Sequence, residues 1–165
     1  TDPDPLVTLR KRAAAKLSEI IDHPRVYQIS DIAKTVVIAA DSMAILGKKT
    51  FGKSRDRDHA KAMLRVLMDR SHTFVTAVAI ALLDAGSFKK KWEKTVKTNV
   101  TLRKINSTEL EQYVARYDFT RFAAGYALND TPWDLVVKID GSYTNVVGLP
   151  FEVLLPILRS IKIIE

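Results

Sequence analysis

The chain has 165 residues and a formal charge of +7, with 47% hydrophobic and 27% charged side chains, values that exclude a disordered chain and suit one domain with a sizeable core. Cysteine is absent, which excludes disulfides and thiolate metal sites and fits a reducing compartment. No apolar run reaches the ~18 to 20 residues of a membrane span and no signal-peptide pattern opens the chain, so a cytoplasmic protein without a membrane partner is expected, its positive charge favouring anionic partners such as nucleotides.

Asp2, Pro3, Asp4 and Pro5 read as a helix start, with acids suited to the helix N-terminus and proline tolerated in the first turn. Leu6, Leu9, Ala13, Leu17 and Ile20 then recur at helical spacing and predict an amphipathic helix over 5–22, ended by His23-Pro24. Its other face carries Arg10, Lys11, Arg12 and Lys16, which spacing alone reads as solvated. Residues 36–40, VVIAA, are continuously apolar, as a strand buried on both faces would be, and the strand is expected to end at its first charge, Asp41. A second run, 42–46, stops at Gly47-Lys48-Lys49, a hairpin or loop, and Phe51-Gly52-Lys53-Ser54 opens towards a helix. Asp41 and Lys53 are thus complementary groups on neighbouring loops. On these residues alone, a turn cap and a solvated lysine account for both.

Residues 55–70 read as a second helix with Ala60, Leu64, Leu67 and Met68 inward. The stretch 72–83 is a long strand, apolar on both parities from Ala77 onward and therefore central in a sheet; Asp84-Ala85-Gly86-Ser87 is a turn. Residues 88–105 alternate as a half-exposed strand and complete a hairpin. Lys89, Lys90, Lys91, Lys94 and Lys97 surround Trp92 there; such a ribbon could track nucleic acid, but lysines that keep an exposed edge unpaired are the better account, and nucleic acid is not expected as a partner. A helix capped by Asn106 or Ser107 runs to about Arg116. Residues 133–139 read as a strand and 141–150 as a loop. A last helix over 151–161 buries Val153, Leu154, Ile157, Leu158 and Ile161, its first turns disturbed by Pro156. Interspersed helices and strands over this length give an α/β domain with a mixed β-sheet flanked by helices.

His23, His59 and His72 fall in different elements without metal-ligand spacing, Gly47-Lys48-Lys49-Thr50 lacks the upstream glycine of a P-loop, and no Gly-x-Ser-x-Gly elbow occurs. A family resemblance does appear. Residues 39–78, AADSMAILGKKTFGKSRDRDHAKAMLRVLMDRSHTFVTAV, resemble the central signature of the Maf proteins, the septum-formation-inhibitor family of nucleoside triphosphate pyrophosphatases: Gly-Ala-Asp-Thr, Gly-Lys-Pro twelve residues on, a helix, and Thr-His-x-Val-x-Thr-Gly-Val. AAGYALND and GSYTNVVGLP resemble that family's Ala-Gly-x-Tyr-Gly-Ile-Gln-Gly and Gly-x-Tyr-x-Asn-Val-Val-Gly-Leu-Pro, in the same order from about residue 4 to 161.

The resemblance implies a Maf/ITPase-like fold with a cleft, one Maf-like domain over 1–165 that is N-terminally truncated relative to the family, and hydrolysis of nucleoside triphosphates such as dTTP or UTP, or of modified nucleotides, between the α and β phosphates, giving the monophosphate and pyrophosphate with a divalent cation, magnesium or manganese. A hard cation wants carboxylate oxygen, and a polyphosphate leaving group wants positive charge. Asp41 matches the family's catalytic and metal-binding aspartate, and Lys53 its phosphate-binding lysine. Lys16 matches a lysine that faces the phosphates from the early helix, while Ser42 and Asn129 fall at the positions associated with base selection. A homodimer is also implied. The family's opening strand and its Ser-x-Ser-x-Arg-Arg phosphate loop have no counterpart ahead of the first helix; Ser54 replaces proline, Ala77 glycine, and Asn129-Asp130 the Gln-Gly pair. These departures leave a second reading, a non-catalytic Maf-like domain that binds nucleotides or a partner.

Overall fold

The computed structural model describes residues 3–129 and 133–165, so the start signal at Asp2 and the departure at Asp130 lie outside the described residues. Helix α1 is Pro5–Asp22, β1 Lys34–Leu46, β2 Lys49–Phe51, α2 Arg57–Leu67, β3 Ser71–Asp84, β4 Ser87–Leu102 and α3 Ser107–Arg116; short 3-10 turns at Phe119–Arg121 and Trp133–Leu135 precede β5 Val136–Asp140, α4 Tyr143–Val147 and α5 Phe151–Ser160. The five strands form one sheet in the order β2-β1-β3-β4-β5, with β1–β2 and β4–β5 antiparallel. A parallel bridge joins Met68 to Leu102. This is the α/β architecture expected, a sheet with helices about it.

The chain divides into two compact units, residues 1–41 with 76–95 and residues 42–75 with 96–165. In the first, the Asp4 side chain accepts a hydrogen bond from the Leu6 N–H at 2.8 Å and Pro5 begins α1. Leu9, Ala13 and Leu17, one turn apart, are fully buried, and each leucine so placed stabilises by about 1.5–3 kcal/mol. Ala77 to Ala81 of β3 are all buried, as a run apolar on both parities requires. The β3–β4 hairpin turns on Ala85 (φ 47°) and Gly86 (φ 74°). Two positive φ values are what a two-residue type I′ turn demands, and Ala85 adopts one against the steric preference of an L-residue. Ala85→Asn, which creates the favoured Asn-Gly pair, is expected to raise stability by about 1 kcal/mol in urea denaturation.

β1 does not stop at Asp41 but continues to Leu46, because the carboxylate is half-sheltered against a lysine instead of having to reach solvent. In β4 the side chains of 87–91 are exposed on both faces, and β5 pairs only with 99–102. Among the described strands, the lysine-rich part of β4 therefore keeps an open outer edge. Lys91 is ion-paired with Glu93, and the Lys90 ammonium lies 5.1 Å from the Trp92 ring centroid.

The second unit has its own core, in which Leu64 and Leu67 of α2, Val100 and Leu102 of β4, Leu110 of α3, and Phe119 are packed together. Asn106 caps α3, with Glu109 reaching back to complete a capping box. Arg103 fastens the end of β4 by donating to the Asp134 carbonyl, the Asp134 and Glu109 carboxylates and the Tyr113 hydroxyl. The strand expected over 133–139 opens instead with a 3-10 turn that supplies Asp134 to this network, and β5 begins at Val136. The loop expected over 141–150 contains α4, and α5 runs unbroken through Pro156, an exposed position whose missing N–H leaves only the exposed turn at Glu152 without its helical bond. Leu154 and Ile157 are the buried pair of α5, while Val153, Leu158 and Ile161 are half-buried.

Candidate active site

Within the first unit, Lys16 and Asp41 come together across 25 positions of sequence. The Lys16 Nζ lies 2.6 Å from the Asp41 Oδ1 and also donates to the Ala40 carbonyl at 3.0 Å. The two partners differ in exposure: the lysine side chain is 53% accessible and the aspartate 17%. The buried stripe Leu9, Ala13 and Leu17 fixes the helix, and so places Lys16 beside the strand that carries the acid. Lys16 stays on the exposed face where periodicity puts it, but there it is paired with Asp41 and not merely solvated.

The other candidates belong to the second unit. Lys53 is exposed, and its backbone forms an antiparallel bridge with Ala123, reinforced by the Ala124 N–H donating to the Gly52 carbonyl at 2.9 Å. The glycine-lysine segment and the AAGY segment, 70 positions apart in sequence, are adjoined by that bridge. Buried Phe51, just before it, anchors the segment, while Asn129 is exposed. Ser42 is half-buried, and a Cβ built on Gly148 would stand 3.8 Å from its Oγ, so the GSYTNVVG turn runs close to Ser42.

That turn is held by one node. The Thr98 hydroxyl donates to the Ser142 carbonyl and accepts from the Ser142 N–H and the Asn145 Nδ2, which uses its one donor and both acceptor positions. Asn145, fully buried, also donates to the Phe74 carbonyl at 3.2 Å, which makes it an internal anchor and not a group facing substrate. Gly141 at φ 128° lets the chain pass: a Cβ there would meet the Thr98 Cα at 3.2 Å. Removing the anchor with Asn145→Ala deprives the Phe74 carbonyl and Thr98 of a buried donor and is expected to cost about 2–3 kcal/mol, a melting point lower by roughly 5–10 °C in calorimetry.

A buried pair lies near the node. The His72 Nε2 and the Tyr126 hydroxyl are 2.7 Å apart, with the rings edge to face. Burial lowers the His72 pKa to about 4, the Arg70 backbone offsetting only part of this, and burial raises that of Tyr126. Both are therefore neutral at pH 7. Sequence spacing contains no sign of this pairing, since the partners stand 54 residues apart.

Among the described residues no three His, Asp or Glu side chains converge as a metal cage. Asp41 offers a half-sheltered carboxylate, 17% accessible. That fits magnesium or manganese bound through one protein carboxylate, with substrate phosphate oxygens and water completing the shell.

Comparison with known proteins adds the following. A family model described as "Maf-like protein" matches residues 1–161. A "dTTP/UTP pyrophosphatase" of Roseobacter denitrificans is 34% identical over 115 residues, 70% of this chain and 58% of that protein. The protein of the same name from Chelativorans sp. is 37% identical over 116 residues, 70% and 54% respectively, and that of Pelotomaculum thermopropionicum 36% over 124 residues, 75% and 63%. The chain thus spans little more than half the length of these relatives.

Proposed function

The chain belongs to the Maf-like protein family, and from that membership we propose that it is a nucleoside triphosphate pyrophosphatase acting on dTTP, UTP or modified nucleotides. The observation that carries the proposal is the Lys16–Asp41 pair, a carboxylate for a cation and an ammonium for a phosphate held 2.6 Å apart. The names of the relatives supply the substrate class. The match over 1–161 supports treating the chain as one Maf-like domain.

In this reading a water attacks the α phosphorus in line with the departing pyrophosphate. Asp41 would hold the divalent cation through its carboxylate, and it orients the water and can accept its proton. Lys53 and Lys16 neutralise the phosphates on which negative charge gathers as the anhydride opens. Ser42 and Asn129 contact the base. The cation, when bound, shields the phosphate charge and lowers the pKa of the attacking water. A homodimer in the cytoplasm completes the proposal; no helix among the described residues is long and apolar enough to cross a membrane.

Binding tests the site apart from chemistry. With the lysines on phosphate, dTTP and UTP should bind at least tenfold tighter than thymidine and uridine, and the difference should shrink as salt rises from 0.05 to 0.5 M. Equal affinity for nucleoside and triphosphate in calorimetric titration would reduce Lys16 and Lys53 to ordinary surface charges and favour a partner-binding domain. Pyrophosphate release tests the chemistry. Displacement at phosphorus needs charge neutralised from several sides, so the 165 residues alone are expected to turn over slowly or not at all. The same residues preceded by a family-type strand and phosphate loop should release pyrophosphate measurably with magnesium or manganese. Robust turnover by the 165 residues alone would mean that the loop contributes little.

A further inference from the structure

We propose that Lys16 is a displaceable counter-ion of Asp41: in the unliganded protein its ammonium sits on the carboxylate that the catalytic cation takes, and it passes to the triphosphate when that cation arrives. The inference rests on Asp41 being the cation's ligand. Two observations carry it, the contacts of Lys16 and the exposures of the two partners. The Lys16 Nζ is already committed at 2.6 Å to the Asp41 Oδ1 and at 3.0 Å to the Ala40 carbonyl, two of its three protons. An ammonium held on Oδ1 repels a divalent cation that binds the same carboxylate and occupies part of its lone-pair capacity, so each weakens the other's hold.

The exposures then decide which partner yields. Lys16, 53% accessible, can swing its four-carbon arm outward while α1 stays pinned by Leu9, Ala13 and Leu17. Asp41, 17% accessible within β1, stays where it is. The two cations therefore compete at a fixed carboxylate, and the mobile one leaves. A triphosphate delivered with the metal gives the released ammonium a new anion within reach. The lysine thus opposes the metal when it comes alone and assists it when it comes with nucleotide.

The test is manganese affinity of the 165-residue chain without nucleotide, read from the electron paramagnetic resonance of free Mn2+, in 0.3 M KCl, where the Debye length is about 6 Å and long-range charge effects are screened. Lys16→Met should bind Mn2+ about three- to tenfold tighter than the wild type. Lys16→Arg, which keeps the charge and the reach, should return the affinity to the wild-type value or below. Asp41→Asn should lose the site. With Mn2+ present, a triphosphate whose α–β bridge is a methylene should bind Lys16→Met about tenfold more weakly, the opposite sign to the metal alone. Unchanged or weaker Mn2+ binding by Lys16→Met, with the site lost in Asp41→Asn, would overturn the counter-ion role and leave the site standing. Full Mn2+ affinity in Asp41→Asn, or no Mn2+ bound by any of the four proteins, would dismiss Asp41 as the ligand and the counter-ion role with it.

Discussion

Asp41→Asn is expected to lower pyrophosphate release from dTTP or UTP by at least a hundredfold, measured in the version preceded by a family-type phosphate loop, and to leave the melting temperature within about 3 °C of its starting value. The substitution is nearly isosteric. It removes the charge that attracts the cation and the basic oxygen that accepts the water's proton, and the loss of a general base alone is typically about 10²–10⁴-fold. The expected stability cost is small because the Lys16 partner is more than half exposed, where such a pair contributes about 1 kcal/mol or less, and the asparagine carbonyl still accepts from the ammonium. The loss should appear in kcat more than in KM if Lys16 and Lys53 continue to bind the phosphates. Undiminished turnover would mean that the wrong acid has been chosen.

Acid should weaken the fold through His72. The group titrates near 6.5 when unfolded and about 4 when folded, so between these values the unfolded chain binds more protons and stability falls with falling pH. Above pH 6.5 the imidazole is neutral in both states and nothing is lost. At pH 4 and below the cost approaches about 3 kcal/mol, from 1.36 kcal/mol per pKa unit. Urea denaturation at pH 7, 6, 5 and 4 checks this against His72→Gln, which cannot charge. The variant should be the weaker protein at pH 7, and the gap should narrow by about 3 kcal/mol towards pH 4. A gap that holds constant would move the acid sensitivity elsewhere.

How much of this was legible in the sequence depends on whether the signal is local. α1 runs from Pro5 to Asp22 as read, because cap, proline and the Leu9, Ala13, Leu17 spacing all lie within it. The β1–β2 and β3–β4 turns were also readable, since glycine and short loops carry local chemistry. Three misreadings share one cause. β1 passes Asp41 because Lys16 meets it from another element; α4 forms because Ser142 caps it and Asn145 anchors it to Phe74 and Thr98; and residues 133–135 turn where Asp134 joins Arg103. Each depends on a partner far along the chain, and a five-residue helix is too short for periodicity to appear. Of the candidate site, the identities of Asp41 and Lys53 came from motif resemblance, whereas the contact between Lys16 and Asp41 came only from the fold.

The uncovered outer edge of β4 bears on how the protein behaves in bulk. Two copies meeting along it would set lysine against lysine, with Glu93 the acid among residues 87–97, so colloidal repulsion guards a row of open backbone donors and acceptors. That guard is electrostatic and therefore conditional. It is strongest in dilute buffer and fades as the Debye length contracts towards about 3 Å near 1 M salt. A pair of molecules related by a twofold axis would have to join through some other surface, and concentrated stocks kept in high salt would be the ones prone to slow edge-to-edge precipitation.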